Sequence, residues 1–189
     1  MTNNADFLPT TEYALLGFLS QGPSHGYDLH KKLTNPEGIG MIWGVKIANM
    51  YAQLGKLARK GFIRGELQEN EQRPARTEYS LTPAGEKEFQ RWLTRLIEHP
   101  RDFRHDFLAR VYFLLRLQPE KLPGLIDAQL AIAQRWLANT TEKENALTKP
   151  ATFENLTYHF RVSQIHSMVD WLVWLKERVQ QTYTHRGEQ

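Results

Sequence analysis

"VKIANMYAQLGKLARKGFIRGELQ", residues 45–68, reads as a helix that stops at Gly61 and turns into a strand. At about 100° per residue, Ile47, Met50, Tyr51, Leu54, Leu57 and Ala58 share an arc of roughly 120°, the width of a core-facing stripe. Lys46, Asn49, Gln53, Lys56 and Lys60 share a second arc of roughly 80°. Ala48, Ala52 and Gly55 fill the third side. An amphipathic helix needs only the first stripe. The second suits a DNA groove, because Asn and Gln pair bidentately with adenine and Lys reaches guanine or phosphate. A solvated face rich in Lys and Gln is the plain alternative.

The flanking segments decide between these readings. Upstream, Thr10-Thr11-Glu12 leads a short apolar helix, "YALLGFLS", that ends at Gly22-Pro23. Ser24 is placed to cap "HGYDLHKKL", which stops near Asn35-Pro36, and "PEGIGMIWG" is a glycine-rich connection. Downstream, "FIRGELQE" and "RTEYSL" read as strands joined around "NEQRPA", with Arg73 and Arg76 at the tip. Thr82-Pro83 supplies an N-cap and a first-turn proline for a helix running to Pro100. The expected fold is mainly α. Residues 1–99 form a winged helix-turn-helix of three helices, a two-stranded wing and a connecting helix. Its third helix is the one offered to a major groove. Arg at a wing tip can clasp phosphates or enter a minor groove. Residues 30–76 carry nine Lys or Arg against four acids, a local surplus that fits an anionic partner better than the whole-chain charge of +3 does.

Residues 100–189 read as an all-α domain: "DFRHDFLARVYFLLRL", a helix from about 120 to 148, and a last helix from about 154 to 183. Ile165, Met168, Leu172, Leu175 and Val179 alternate three and four apart, a heptad seam flanked by Trp171. With Phe107, Val111 and Leu114, that seam is the expected dimer interface, because long amphipathic helices need a partner to cover their stripes.

The chain has no cysteine, so disulfides and thiolate metal sites are excluded. No apolar run reaches membrane-spanning length, and the first residues lack the pattern of a signal peptide, so a cytoplasmic location is expected. Asn139 and Asn155 match the glycosylation pattern, and without an export signal both are expected to be chance matches. There is no phosphate loop and no nucleophile with a recognisable base. No enzyme, metal or cofactor is expected. His159, His166 and Asp170 share helical spacing but read as surface or core residues, and Asp102 and Asp106 as complements to a helix dipole.

"SHGYDLHKKL", "MYAQLGKLARKGFI" and "RTEYSLTPAG" resemble the PadR family of bacterial transcriptional regulators. His25-Gly26-Tyr27, Tyr51, Leu54, Leu57, Gly61 and Tyr79-x-Leu81-Thr82-x-x-Gly85 follow the family's order. The second half resembles the helical domain of the virulence-activator type through "DFLARVYF" and "DWLVWLKERV". The resemblance implies a homodimeric DNA-binding regulator, often a repressor released by a small ligand, a phenolic acid in part of the family. Lys46-Ile47-Ala48-Asn49 departs from the family's usual Ser-Pro-Gly-Ser-like stretch, which puts operator sequence in doubt. Tyr27 and Tyr51 join the stripe and the wing as expected DNA contacts. Trp43, Trp136, Tyr158, His159, Arg161 and His166 are candidate ligand contacts, aromatic walls with polar groups for an acid or phenol. The competing class is a helical dimer that binds an aromatic molecule and keeps a vestigial wing.

Overall fold

The computed structural model describes residues 7–70 and 73–186, without the side chains of 69, 70, 73–75 and 182–186. Helices α1 (Thr10–Leu19), α2 (Gly26–Thr34) and α3 (Ile47–Arg59) precede a hairpin of β2 (Ile63–Asn70) and β3 (Arg73–Leu81), followed by α4 (Pro83–Thr94). This is a winged helix-turn-helix. Ser24–His25 adds a two-residue strand, β1, giving an antiparallel sheet in the order β1-β3-β2. Ser24 pairs with Tyr79, so it is a buried sheet residue and not the cap of α2. His25 holds the cap position without a side-chain cap bond, its Nδ1 lying 3.3 Å from Thr77 O instead. The wing is regular from Ile63↔Leu81 to Gln68↔Arg76 and shifts register before Asn70↔Arg73.

The turn after α3 is fixed by one glycine. Gly61 has φ +73, and the Gly61 and Phe62 N–H groups donate to Ala58 and Leu57 carbonyls at 3.0 Å each, which closes the helix in a Schellman motif. Thr82 then ties the wing back. Its hydroxyl accepts from the Gly85 N–H (3.1 Å) and can donate to Gly61 O (2.7 Å) or Phe62 O (3.0 Å). A Cβ on Gly85 would lie 2.0 Å from the Phe62 carbonyl oxygen. We expect Gly85→Ala to lower stability by about 1–3 kcal/mol, because a backbone atom has to move. A melting curve by circular dichroism checks this, and an unchanged midpoint would contradict it.

By its contacts the chain forms two compact units that interleave in sequence around the expected boundary at residue 99. One unit is Met1–Arg95 with Arg104–Arg116, the other Leu96–Phe103 with Leu117–Gln189. Helix α4 stops at Thr94, short of Pro100, and Arg95 is extended. A 3-10 turn (Pro100–Asp102) and a π-helical turn (Phe103–Phe107) replace the expected start of a continuous helix, and α5 (Leu108–Leu117) follows. The α5 residue Phe113 sits edge-on to Phe18 (5.3 Å), Phe89 (5.5 Å) and Trp92 (6.3 Å), and Gly17 leaves room for its ring. Tyr13 stacks on Trp92 at 4.9 Å and donates to Glu88 at 2.7 Å. Burial first, then that bond, pushes its hydroxyl up to about 12. Helix α5 therefore completes the winged-helix core. Phe107, Val111 and Leu114 are buried in a single chain and are not surface offered to a partner.

The second unit is built on an antiparallel pair, α6 (Leu122–Asn145) and α7 (Phe153–Arg186). Lys176–Asp127 and His159–Glu144 contacts, each 2.8 Å, fix its direction. Leu122, Leu125, Ile126 and Ala133 of α6 are buried, as are Ile165, Leu172, Leu175 and Val179 of α7. The heptad seam thus packs within one chain. Ile165, Leu172 and Leu175 are corrected from interface to core, while Met168 and Trp171 remain partly exposed and Trp171 meets Phe103 edge-on at 6.0 Å. Gln129 is buried and satisfied: its Oε1 accepts from Ile97 N–H (2.7 Å) and its Nε2 donates to Ile97 O (3.2 Å). No described helix is long and apolar enough to cross a membrane.

Candidate nucleic-acid interface

Helix α3 is held by three fully buried residues, Met50, Leu54 and Leu57. The apolar stripe is therefore narrower than the sequence indicates. Ile47 is 43% and Tyr51 45% exposed, and Ala58 is exposed as well. Lys46 takes the N-cap position, where its carbonyl accepts from Met50 N–H at 3.1 Å and its side chain makes no cap bond. Before it, His30 Nε2 lies 3.0 Å from Val45 O and anchors the connection from α2.

The second stripe divides. Lys46, Asn49, Lys56 and Lys60 are exposed. Gln53 is half-buried, and its Oε1 is enclosed without a hydrogen-bond partner among the described residues. Bidentate pairing with adenine needs both amide groups, so Gln53 does not present the face expected of it. Beneath the helix, Glu12 of α1 is buried. Desolvation raises its carboxyl above the usual range, and Lys60 and Lys56 oppose that rise.

On the other flank, the Tyr51 ring lies over Gly26. A Cβ there would come 2.6 Å from Cε1 and 2.8 Å from the hydroxyl. Gly26 is thus required for Tyr51 to lie at the start of α2. Burial, with Tyr51 beside it, raises the Tyr79 hydroxyl above its ordinary value. Tyr27 is 54% exposed, with Lys31 Nζ 4.6 Å from its ring centroid. On the wing Arg76 is exposed opposite Gln68, and Arg64 pairs with Glu66 at 3.0 Å. The Arg73 side chain lies outside the described residues, as do Glu71 and Gln72 at the tip.

The candidate ligand residues fall in both units. Trp43 belongs to the first unit; it is half-buried, edge-on to His105 at 6.3 Å, with its indole Nε1 enclosed and unpaired among the described residues. In the second unit Trp136 and Tyr158 are half-buried, and Arg161 lies 5.6 Å from the Tyr158 ring centroid. His159 is exposed and engaged by Glu144, and His166 lies two turns further along α7, 3.7 Å from Asp170.

Asp106 has a role that the sequence concealed. Its Oδ1 accepts from Trp92 Nε1 (2.8 Å) and Thr10 Oγ1 (3.2 Å). Its Oδ2 bonds Arg110 Nη2 and lies 3.8 Å from Arg95. It neutralises a guanidinium that is wholly buried, so it does more than complement a helix dipole.

A wing, a cationic helix face and a glycine-seated tyrosine define a DNA-binding regulator of the winged helix-turn-helix class. Residues 15–91 match the Transcriptional regulator PadR-like family, and residues 103–180 match Virulence activator alpha C-term. The chain thus carries a PadR-like transcriptional-regulator domain, and the proteins it is similar to are transcriptional regulators and not enzymes. It is 28% identical over 171 residues to the Negative transcriptional regulator PadR of Bacillus subtilis (strain 168), covering 87% of this chain and 93% of that one. Among solved structures it is similar to Bacillus subtilis PadR in complex with operator DNA (23% identity, TM-score 0.46, covering 90% of this chain and 99% of that one). It is also similar to Bacillus subtilis PadR in complex with p-coumaric acid (25% identity, TM-score 0.41, covering 90% and 96%).

Proposed function

We propose that this protein is a homodimeric repressor that works in the cytoplasm, binds duplex operator DNA through α3 and the wing, and is released by a small aromatic acid. The observation that carries the reading is the exposed side of α3. Lys46, Asn49, Lys56 and Lys60 stand clear of the core, followed by a hairpin on which Arg76 is exposed. Phosphate contacts from such residues supply most affinity and make it steeply salt-dependent. The curated relative is a negative regulator, which favours repression. Tyr27 of α2 and Tyr51 of α3, each about half exposed, add hydroxyls to this side, and Arg76, with Arg73, extends the contact to the wing.

The dimer reading moves to another surface. Phe153, Leu156 and Phe160 of α7 are 86%, 58% and 60% exposed and lie three and four residues apart, on one helical stripe. Exposed apolar clusters of this kind mark protein contacts. For the effector, Trp136, Tyr158 and Arg161 supply aromatic walls and a cation, while His159 and His166 are solvent-facing.

A gel shift with the DNA upstream of the protein's own gene tests the reading. The wild type is expected to bind, and a phenolic acid to reverse the shift. The Lys46→Ala, Lys56→Ala double variant should weaken binding on all sequences and reduce the salt slope by about two. If the wild type retains no duplex at low salt, the regulator reading fails and the vestigial-wing alternative takes its place.

A further inference from the structure

The polar stripe is not the part of α3 that points directly away from the core. Met50, Leu54 and Leu57 set the buried direction. At about 100° per residue, the opposite direction falls on Ala48, Ala52, Gly55 and Arg59. Asn49 and Lys56 lie about 55–75° to one side of it, and Tyr51 about 85° to the other. Ala48, Ala52 and Arg59 are all exposed. Arg59 is absent from the stripe read in the sequence, yet it is the one residue of these four with a hydrogen-bonding side chain.

Its guanidinium turns back toward Gly55, as helical side chains lean toward the N-terminus. Nη1 lies 3.5 Å from the position a Gly55 Cβ would take, ordinary contact distance. No carboxylate among the described residues pairs with Arg59. Gly55 itself is unexplained by the core, since, apart from its chain neighbours and the backbone of its own helix, Arg59 Nη1 is the one described atom within 4 Å of that Cβ position. A glycine inside a helix costs about 1 kcal/mol relative to alanine, so on an outward face it needs a reason. Close approach of the helix backbone to another surface supplies one. Two alanines and a glycine form a floor that a groove edge can meet, with a single planar donor fork lying along it.

We infer that Arg59 is a base-reading residue, its guanidinium donating to O6 and N7 of a guanine in each operator half-site. This rests on the DNA-binding reading above. Arg matches that guanine edge bidentately, as none of the three small residues can. Lys56 and Lys60, displaced to one flank, then take phosphates along one wall of the groove, and Gln53 is withdrawn from the bases. The alternative partner for Arg59 is a phosphate, which its position at the last turn of α3 also allows.

Binding-site selection on the full-length protein, followed by affinity measurements against salt, separates these outcomes. The wild type is expected to select a guanine at one position per half-site. Arg59→Ala should lose that preference by on the order of ten- to a hundredfold. Arg59→Gln should move it from guanine to adenine, since Gln pairs with the adenine edge. Both variants should keep the wild-type melting temperature, because Arg59 is exposed. If both weaken binding equally on all sequences, keep the base profile and flatten the salt slope by about one, Arg59 holds a phosphate and the inference is overturned. A wild type that selects no duplex overturns the regulator reading and the inference with it. A wild type that selects sites without guanine overturns the inference alone.

Discussion

Asp106→Ala is expected to cost about 3–5 kcal/mol of stability, enough to unfold many domains of this size. The side chain of Arg110 is completely buried, and burial lowers its pKa to about 10 even with Asp106 beside it. Its Nη1 donates to Arg95 O and its Nη2 to Asp106, while Nε is enclosed without a partner among the described residues. Removing the carboxylate leaves an uncompensated charge in the interior and strips Trp92 Nε1 and Thr10 Oγ1 of their acceptor. Chemical denaturation monitored by Trp fluorescence measures the loss. The physical cause has its own check. Arg110→Met in the Asp106→Ala background should recover most of the stability, because an apolar side chain of similar length needs no counter-charge. A double variant no more stable than Asp106→Ala would show that the stranded charge is not what destabilises the protein.

If the proposed dimer forms through α7, Leu156→Asp together with Phe160→Asp is expected to convert it to monomer and to weaken operator binding by about a hundredfold or more. Two linked DNA-binding heads gain affinity through effective concentration, and separate heads lose it. Both residues are exposed in the single chain, so their replacement leaves the α6–α7 core intact. Leu172→Asp makes the contrast. Leu172 is fully buried, and its replacement should unfold the second unit before association is ever tested. Sedimentation velocity beside circular dichroism distinguishes the two. A folded double variant that still sediments as a dimer would move the interface elsewhere, and a monomeric wild type would remove the dimer.

Much of the winged helix was legible in local chemistry. Gly61 ends α3 because only glycine takes φ +73 at no steric cost, and Thr82-Pro83 starts α4 through an N-cap bond to Gly85. Such signals act within a few residues, so the sequence displays them. The two-residue strand β1 was not legible, since its existence depends on pairing with Tyr79 and Glu78, more than fifty residues away. Nor was the early stop of α4, where Ile97 exchanges hydrogen bonds with Gln129 in place of continuing a helix.

The same distinction holds for the interface. Residue types and their 100° spacing determined that α3 carries an apolar stripe, a polar stripe and a small-residue stripe. They could not determine which stripe points away from the core, because that follows from how α3 rests on its neighbours. Only the packing of Met50, Leu54 and Leu57 turned Arg59 outward and drew Gln53 inward. The heptad seam of α7 shows the same limit. Periodicity established that Ile165, Leu172 and Leu175 must be buried, and the tertiary structure decided that α6 of the same chain does it. Burial free energy depends on the area removed from water and not on which helix covers it, so a sequence pattern states the need for a partner without naming one.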